Sequence, residues 1–466
     1  MTNPKPDPML TQGQAESIQE PNSIGNQTML KTFTSGFVNA FDRYMPDPLI
    51  LVLFITLIVF VAGIVFEGQG PVAMLGYWQE GFWNLLSFAM QMTLILVAGF
   101  TVARTPLFMG LVDRIADVAK TPGRAILTVS FTTLVICWIN WGMGLVAGAI
   151  LARELARRVE GVDYRLLVAS AYAGFMSFHA GLSGSATLLV ATPGHFLEDQ
   201  VGLIPTSETI FGVLNLSICA AILVVLPLTC RFLMRGISKP VTVKIDKLKD
   251  EDVKDSPSET LRPAERIERS KTLAWASAAL GFASVSVYAM NGGGLNLNII
   301  IFVLIFLGLA LHASPRSFLS SIDEAARGVS GVLIQFPFYA GIMGMMGASG
   351  LGASLAQGFT SISTASTLPF VSFLSAGVLN IFIPSGGGQW AVQGPILVEA
   401  AQSLNANISD VIIGFVWGDA WTNLIQPFWA LPVLAIAGLK ARDIMGFCVI
   451  MMGTTGIAIA AALLMI

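Results

Sequence analysis

Charge is scarce in this chain. Only 12% of its 466 residues are Asp, Glu, Lys or Arg, against about 25% in a soluble domain. A water-soluble fold built from it would expose large apolar surface, which excludes a soluble enzyme as the first reading. A net charge of −3 and a pI near 5.7 leave no basic footprint, which excludes a nucleic-acid partner. Cysteine occurs four times, at Cys137, Cys219, Cys230 and Cys448. All four lie in apolar runs without metal-type spacing, so they read as packing residues. Segments of alternating polarity are missing too, which excludes a membrane β-barrel. What remains is apolar. Hydrophobic residues make up 54% and mean hydropathy is +0.72, with continuous runs such as Pro48 to Phe66. The fold class expected is an all-α polytopic membrane protein.

About twenty apolar residues cross a bilayer as a helix. Nine stretches fit one crossing each: 48–66, 81–103, 166–194, 210–234, 272–290, 296–313, 329–349, 410–438 and 444–466. Residues 1–44 are polar and read as a disordered cytoplasmic tail with no signal peptide. Basic residues in short loops set orientation. Loop 104–124 carries Arg104, Arg114, Lys120 and Arg124; loop 152–165 carries Arg153, Arg157, Arg158 and Arg165. Both are expected in the cytoplasm. Loop 195–209 has Glu198, Asp199 and Glu208 and no Lys or Arg, and is expected outside. The charged linker 236–271 belongs inside.

Residues 125–151 then have basic loops on both flanks, and 27 residues are too few for two crossings. A re-entrant hairpin resolves the conflict, with its turn at Trp138-Ile-Asn-Trp-Gly-Met-Gly144. Such backbone is tolerated at depth only inside protein or beside a wet cavity. Stretch 368–401 has its own break, Pro384-Ser-Gly-Gly-Gly-Gln389, and lies in a region without Lys or Arg from Arg327 to Lys440. Both its flanks are expected outside. Each hairpin precedes a span with an interrupted middle, Ser177 to Thr187 and Trp417 to Pro427. This predicts an inverted-topology repeat. Repeat 1 covers 45–235 and repeat 2 covers 296–466, with 272–290 as connector helix.

Hairpin tips and broken spans put helix ends at mid-membrane, where free N–H groups can hold a carboxylate and free carbonyls a cation. The candidate substrate residues at the tips are Asn140, Trp141, Gly142, Gly144, Ser385, Gly386, Gly387, Gly388 and Gln389. On the broken spans they are Ser183, Ser185, Thr187, Thr422, Asn423 and Gln426. Hydroxyls and amides bond a carboxylate without charge. The glycines are expected to allow close backbone approach and positive φ. Trp138, Trp141, Trp390 and Trp421 are candidates to wall an apolar tail, or equally to serve as packing. His179 and Asp419 are ionisable groups at membrane depth, which makes them candidates for ion coupling; the bland alternative is a pair that locks helices. Glu399 is expected to be solvated. The coupling ion is expected to be Na+ or H+, either with His179 and Asp419 as a proton-coupled pair or with Asp419 helping to hold Na+; a Na+ site is expected near Asn140, Ser385 and Asn423, and no other cofactor.

The runs Asn140-Trp-Gly-Met-Gly144, His179-Ala-Gly-Leu-Ser-Gly-Ser-Ala-Thr187, Pro384-Ser-Gly-Gly-Gly-Gln-Trp390 and Gly418-Asp-Ala-Trp-Thr-Asn-Leu-Ile-Gln-Pro427 resemble those of the bacterial short-chain fatty acid uptake transporters. The resemblance extends from about Phe41 to the C-terminus. It implies uptake of monocarboxylates such as acetoacetate or butyrate. Through the wider ion transporter superfamily it implies a homodimer in which a scaffold supports a transport domain moving as an elevator. Dicarboxylate carriers of that superfamily place Ser-Asn-Thr at both tips. This chain departs from that pattern, so their sodium sites do not carry over. The absence of Lys and Arg in the core also favours a monoanion over a dicarboxylate.

Two other readings stand beside the carrier. Gly181-Leu-Ser-Gly184 resembles the Gly-x-Ser motif of rhomboid intramembrane proteases, with His179 close by, although a serine nucleophile needs its base within hydrogen-bond reach. Glycine-rich re-entrant loops also build channel filters, which gives a channel for small anions as the other alternative. The carrier reading places the protein in the bacterial inner membrane, in contact with lipid, with its N-terminus cytoplasmic and its C-terminus periplasmic.

Overall fold

The structure, a computed structural model, describes residue 46 and residues 48–237, 239–242 and 262–465. The tail expected over 1–44 and most of the linker expected over 236–271 lie outside the described residues. Every regular element among the described residues is helical. A first run holds α1 (Pro48–Val65), α2 (Pro71–Gly81), α3 (Leu86–Ala103), α4 (Pro106–Val118), α5 (Pro122–Ile139), α6 (Trp141–Arg158), α7 (Tyr164–Ala173), α8 (Ser185–Leu189), α9 (Glu198–Val201) and α10 (Val213–Arg235). Between the runs lie α11 (Pro263–Glu268) and α12 (Lys271–Met290). The second run holds α13 (Leu297–His312), α14 (Pro315–Ala326), α15 (Ser330–Ser349), α16 (Leu351–Ile362), α17 (Leu368–Asn380), α18 (Gly386–Leu404), α19 (Ile408–Thr422), α20 (Pro427–Ala437) and α21 (Ala441–Leu463). Both runs proceed long helix, short helix, long helix, short helix, paired limbs, interrupted helix, long helix.

Local chemistry starts these helices. Thr105-Pro106, Thr121-Pro122 and Ser314-Pro315 open α4, α5 and α14. The hydroxyl accepts a first-turn N–H, and proline sits where no intrahelical N–H is needed. Asp163 opens α7 by accepting from Arg165 N and Leu166 N. Its second oxygen accepts Val241 N at 2.9 Å, while Tyr164 N donates to Val241 O at 2.9 Å. The segment after α10 is thereby clipped to the foot of α7.

Each stretch expected to form a hairpin holds two helices in contact, and the first pair differs in length from the expectation. α5 and α6 have 18 residues each, about 27 Å at 1.5 Å per residue. That is longer than stretch 125–151 implied. The capped Pro122 start and the charged end through Arg158 extend both helices beyond the apolar centre. The second pair matches 368–401 closely, with its break at 381–385. Among the described residues, six helices can cross a membrane by length and composition: α3, α5, α10, α12, α15 and α21. Residues 408–437 form a bent pair at 41° that also qualifies as one span. α1 and α13, expected as crossings, are shorter apolar helices, and stretch 166–194 is broken rather than continuous.

Small residues set the packing. A Cβ on Gly144 would stand 2.2 Å from Cys137 Sγ, so the limbs α5 and α6 touch backbone to backbone. Gly414 and Gly418 press α19 onto the Pro369 and Phe373 carbonyls of α17 in the same way. Close approach of this kind is what small residues supply in membrane helices. α19 is buried from Val411 to Ala420 and lies at the centre. Its Trp417 Nε1 donates to Asn215 Oδ1 of α10 at 2.9 Å.

Candidate functional site

Each hairpin tip sits on a helix break. At the first tip one residue interrupts the helix. Asn140 is extended, with φ −156° and ψ 126°, and its Oδ1 accepts Met143 N to cap α6. Its Nδ2 donates to Ile95 O of α3 at 3.1 Å. α7 continues as a 3-10 turn over Gly174–Ser177 and then opens. The opened segment lies against the tip: Trp141 N donates to Ser183 Oγ at 3.1 Å, and Leu182 N to Trp138 O at 2.7 Å. Gly181 is required there, because a Cβ would stand 2.0 Å from Trp138 O.

At the second tip Ser385 caps α18 by accepting Gly388 N at 3.3 Å. A Cβ on Gly386 would stand 2.8 Å from His179 Cε1 and 3.2 Å from Asp419 Oδ1. The start of α18, with its partial positive charge, therefore stands against a carboxylate. His179 Nδ1 and Asp419 Oδ1 are 2.8 Å apart, and both side chains are 0% exposed. On the other side of the ring, Ala186 N donates to His179 Nε2 at 3.3 Å. The pattern assigns the neutral tautomer, with the proton on Nδ1 and Nε2 accepting. Asp419 Oδ2 is buried and has no hydrogen-bond partner. Ser185 and Thr187, both buried in α8, flank Ala186; the Thr187 hydroxyl donates to His179 O at 3.4 Å.

The break after α19 is organised by a residue that the sequence reading passed over. Asn380, the last residue of α17, presents Nδ2 to Asp419 O, Thr422 Oγ1 and Asn423 Oδ1 at 2.9, 3.0 and 2.8 Å. Gln426 Nε2 returns a bond to Asn380 O at 2.7 Å. Tyr172 of α7 donates to Asn423 O and lies 3.0 Å from Gln426 O. Gln389 donates to Ala376 O at 2.8 Å and to Gln393 Oε1 at 3.0 Å. The available signal for Asn380 was its place, a lone amide closing an apolar stretch just before Pro384.

Most expected residues thus fall into three linked groups. Asn140, Trp141 and Ser183 form the first. His179, Asp419, Gly386, Ser385, Ser185 and Thr187 form the second. Thr422, Asn423 and Gln426 form the third around Asn380, joined to the second through the Asp419 carbonyl.

Several expectations need correction. None of Gly142, Gly144, Gly386, Gly387 or Gly388 has positive φ. They lie inside helices and supply space. Gly142 faces Leu96 O and Gly144 faces Cys137, away from the opened segment; Gly387 abuts Phe88 and Phe336, and Gly388 abuts Tyr339. The tryptophans do not form one wall. Trp138 faces Phe211, Trp390 faces Phe415, and Trp421 packs on Phe373 while donating to Met452 O. Trp141 does stand among rings, with Trp429 at 5.5 Å, Phe175 at 6.1 Å and Phe178 at 6.4 Å. At the three positions named for Na+, the side-chain oxygens Asn140 Oδ1, Ser385 Oγ and Asn423 Oδ1 each accept one N–H. Ser183 Oγ accepts from Trp141 N while the His179 nitrogens face Asp419 and Ala186, so no Ser183–His179 bond forms. Glu399 is exposed, as expected.

Comparison with known proteins gives a consistent answer. A family model described as "Short chain fatty acid transporter" matches residues 29–466. Two curated relatives bear the name "Putative short-chain fatty acid transporter". The one from Escherichia coli (strain K12) is 42% identical over 422 residues, covering 90% of this chain and 95% of its own length. The one from Haemophilus influenzae (strain ATCC 51907 / DSM 11121 / KW20 / Rd) is 40% identical over 432 residues, covering 89% and 95%. Among solved structures, the YdaH transporter of Alcanivorax borkumensis, described as having an unusual topology, superposes with a TM-score of 0.58. It shares 15% identity and covers 89% of this chain and 98% of its own, a likeness of fold alone. With its apolar helices the protein is a multi-pass membrane protein, and the chain belongs to the short-chain fatty acid transporter family.

Proposed function

We propose that the protein is a secondary active transporter that takes up short-chain fatty acids of the acetoacetate and butyrate type, coupled to Na+ or H+. One observation carries the reading. Two hairpin tips rest on two helix breaks, and the buried polar cluster between them contains one carboxylate and no Lys or Arg. A site of that kind suits a small monoanion held by hydroxyls, amides and helix ends. Asn140, Trp141, Ser183, Ser185, Thr187, Ser385, Gly386 to Gln389, Thr422, Asn423 and Gln426 contribute to binding, and Trp141 with Phe175, Phe178 and Trp429 accepts the alkyl tail. His179 and Asp419 take part in coupling.

The shared order of elements supports two repeats, 45–235 and 296–466, inserted with opposite orientation, with 272–290 as connector. In this reading the hairpins enter from opposite faces of the bacterial inner membrane, the N-terminus is cytoplasmic and the C-terminus periplasmic. Hairpins and broken helices move as an elevator against a dimeric scaffold. Burial of the His179–Asp419 pair supports an enclosed site. Two cavities of about 610 and 490 Å³ open elsewhere, lined by residues such as Glu208 and Asp410 or Phe196 and Glu399.

The test is uptake into proteoliposomes across a ladder of acids from acetate to hexanoate, with Na+ and proton gradients imposed separately. Accumulation of C2–C5 acids driven by one gradient is expected, with trans-acceleration by internal acid. Gradient-independent currents far above carrier turnover would replace the carrier with a channel.

A further inference from the structure

We propose that the coupling ion is a proton, that its binding atom is Asp419 Oδ2, and that His179 is a positioning residue. This rests on the reading of the site as a carboxylate-binding site and deepens it.

The argument starts from counting acceptors. Asp419 has two oxygens, both buried. Oδ1 takes the His179 Nδ1–H at 2.8 Å, and Oδ2 has no partner. His179 has no free acceptor, because Nε2 already faces Ala186 N–H. A proton arriving at the pair therefore finds its open sites on Asp419, and Oδ2, with neither lone pair engaged, is the oxygen that has no partner. Protonating His179 instead would set a new N–H against the Ala186 N–H. An unpartnered carboxylate oxygen in the interior is costly to maintain, and a proton lowers that cost by removing the charge.

Charge balance gives the proton its purpose. The elements packed against α19 are α8, α10, α17, α18, α21 and the 3-10 turns at 174–177 and 423–425. Their titratable and charged groups are Cys219, Cys230, Arg231 and Arg235 on α10, Glu399 on α18, and Arg442, Asp443 and Cys448 on α21. α19 itself adds Asp410 at its start, and the opened segment adds His179. Among the described residues His179 alone of these bonds to Asp419. A substrate carboxylate entering beside Gly386 meets a like charge with no Lys or Arg to offset it. Two carboxylates sharing a site do not both stay ionised. Oδ2 gains a proton from water on the side where the anion binds and returns it to water on the side of release. No bond other than O–H is made or broken.

The experiment is calorimetric titration of butyrate into the detergent-solubilised full chain, in buffers of different ionisation enthalpy, from pH 6 to 9. The expected result is uptake of one proton per butyrate and an affinity that falls about tenfold per pH unit at the alkaline end, unchanged by Na+ at fixed pH. Asp419→Asn should bind with a flat pH profile and no proton uptake, and Asp419→Glu should keep the uptake. His179→Gln supplies an N–H for Oδ1 and a carbonyl oxygen for Ala186. It should bind more weakly yet keep one proton per anion, whereas His179→Ala should displace the pH profile. Butyrate binding by wild type without proton uptake, or with an affinity set by Na+, overturns the assignment and leaves the function standing. Loss of proton uptake in His179→Gln with binding retained moves the proton to His179 and also overturns it. Failure of wild type to bind any acid of the ladder overturns the function, and this assignment with it.

Discussion

At the scale of single residues, the cluster depends on amides that serve two elements at once. Asn140 caps α6 and reaches α3. Asn140→Ala loses a cap of about 1 kcal/mol and a bond between membrane helices of about 0.6–2 kcal/mol. A lower melting temperature and weaker butyrate binding are expected, measured by thermal shift and calorimetry; wild-type values in both would show that this tip is no part of the site. Asn380→Ala removes the amide nitrogen that lies within hydrogen-bond reach of three oxygens at the second break, and the same measurements should register a loss at least as large. His195, in the segment after α8, gives a pH signature. Its Nε2 donates to Gly202 O at 3.0 Å and its Nδ1 accepts Leu197 N at 3.3 Å. Burial pushes its pKa below the ordinary histidine value. The unfolded chain then binds the proton more readily than the folded one, so stability present at pH 7.5 is lost as pH falls through the ordinary histidine range of about 6.5 toward the lowered folded value. Melting of wild type between pH 7.5 and 5 should show this loss, and His195→Gln should lessen it; parallel curves would contradict the burial argument.

At the scale of elements, the glycines of the second tip fix how α18 meets its neighbours. A Cβ on Gly388 would lie 2.4 Å from the Tyr339 ring. Gly388→Ala should cost about 1–3 kcal/mol through overpacking, read as a fall in uptake or melting temperature, and Tyr339→Leu in the same chain should restore part of it. Much of this level was legible beforehand. The interrupted spans and both hairpin breaks show in apolar runs punctuated by Gly, Pro and amides. Limb length was not, since α5 and α6 continue through Pro122 and Arg153–Arg158, where hydropathy fades but helix formation does not. Glycine conformation was not legible either. Residue identity permits positive φ, while tertiary contact decided that these glycines make room instead. The His179–Asp419 pairing was visible only as two rare charges at matching places; their 240-residue separation hid the 2.8 Å contact.

At the scale of the whole molecule, one measurement tests orientation. Single cysteines placed beside Arg124 and Arg153 should both react with reagent from the cytoplasmic side, and a C-terminal reporter should be active only in the periplasm. Labelling of the two cysteines from opposite faces would make α5 an ordinary crossing, which its 18 apolar-rich residues permit by length alone. Basic residues set topology mainly through short loops, so the region without Lys or Arg from Arg327 to Lys440 left the second hairpin without that guide.

The clip between Val241 and Asp163 bears on anyone who would express the protein as two polypeptides. The buried pair draws one partner from each run, so neither fragment holds the centre alone. A cut before Val241 would leave the start of α7 short of a donor that the first fragment ought to carry. Placed after Thr242, the cut keeps that fastening on the N-terminal piece, and the two fragments should then find each other and recover uptake.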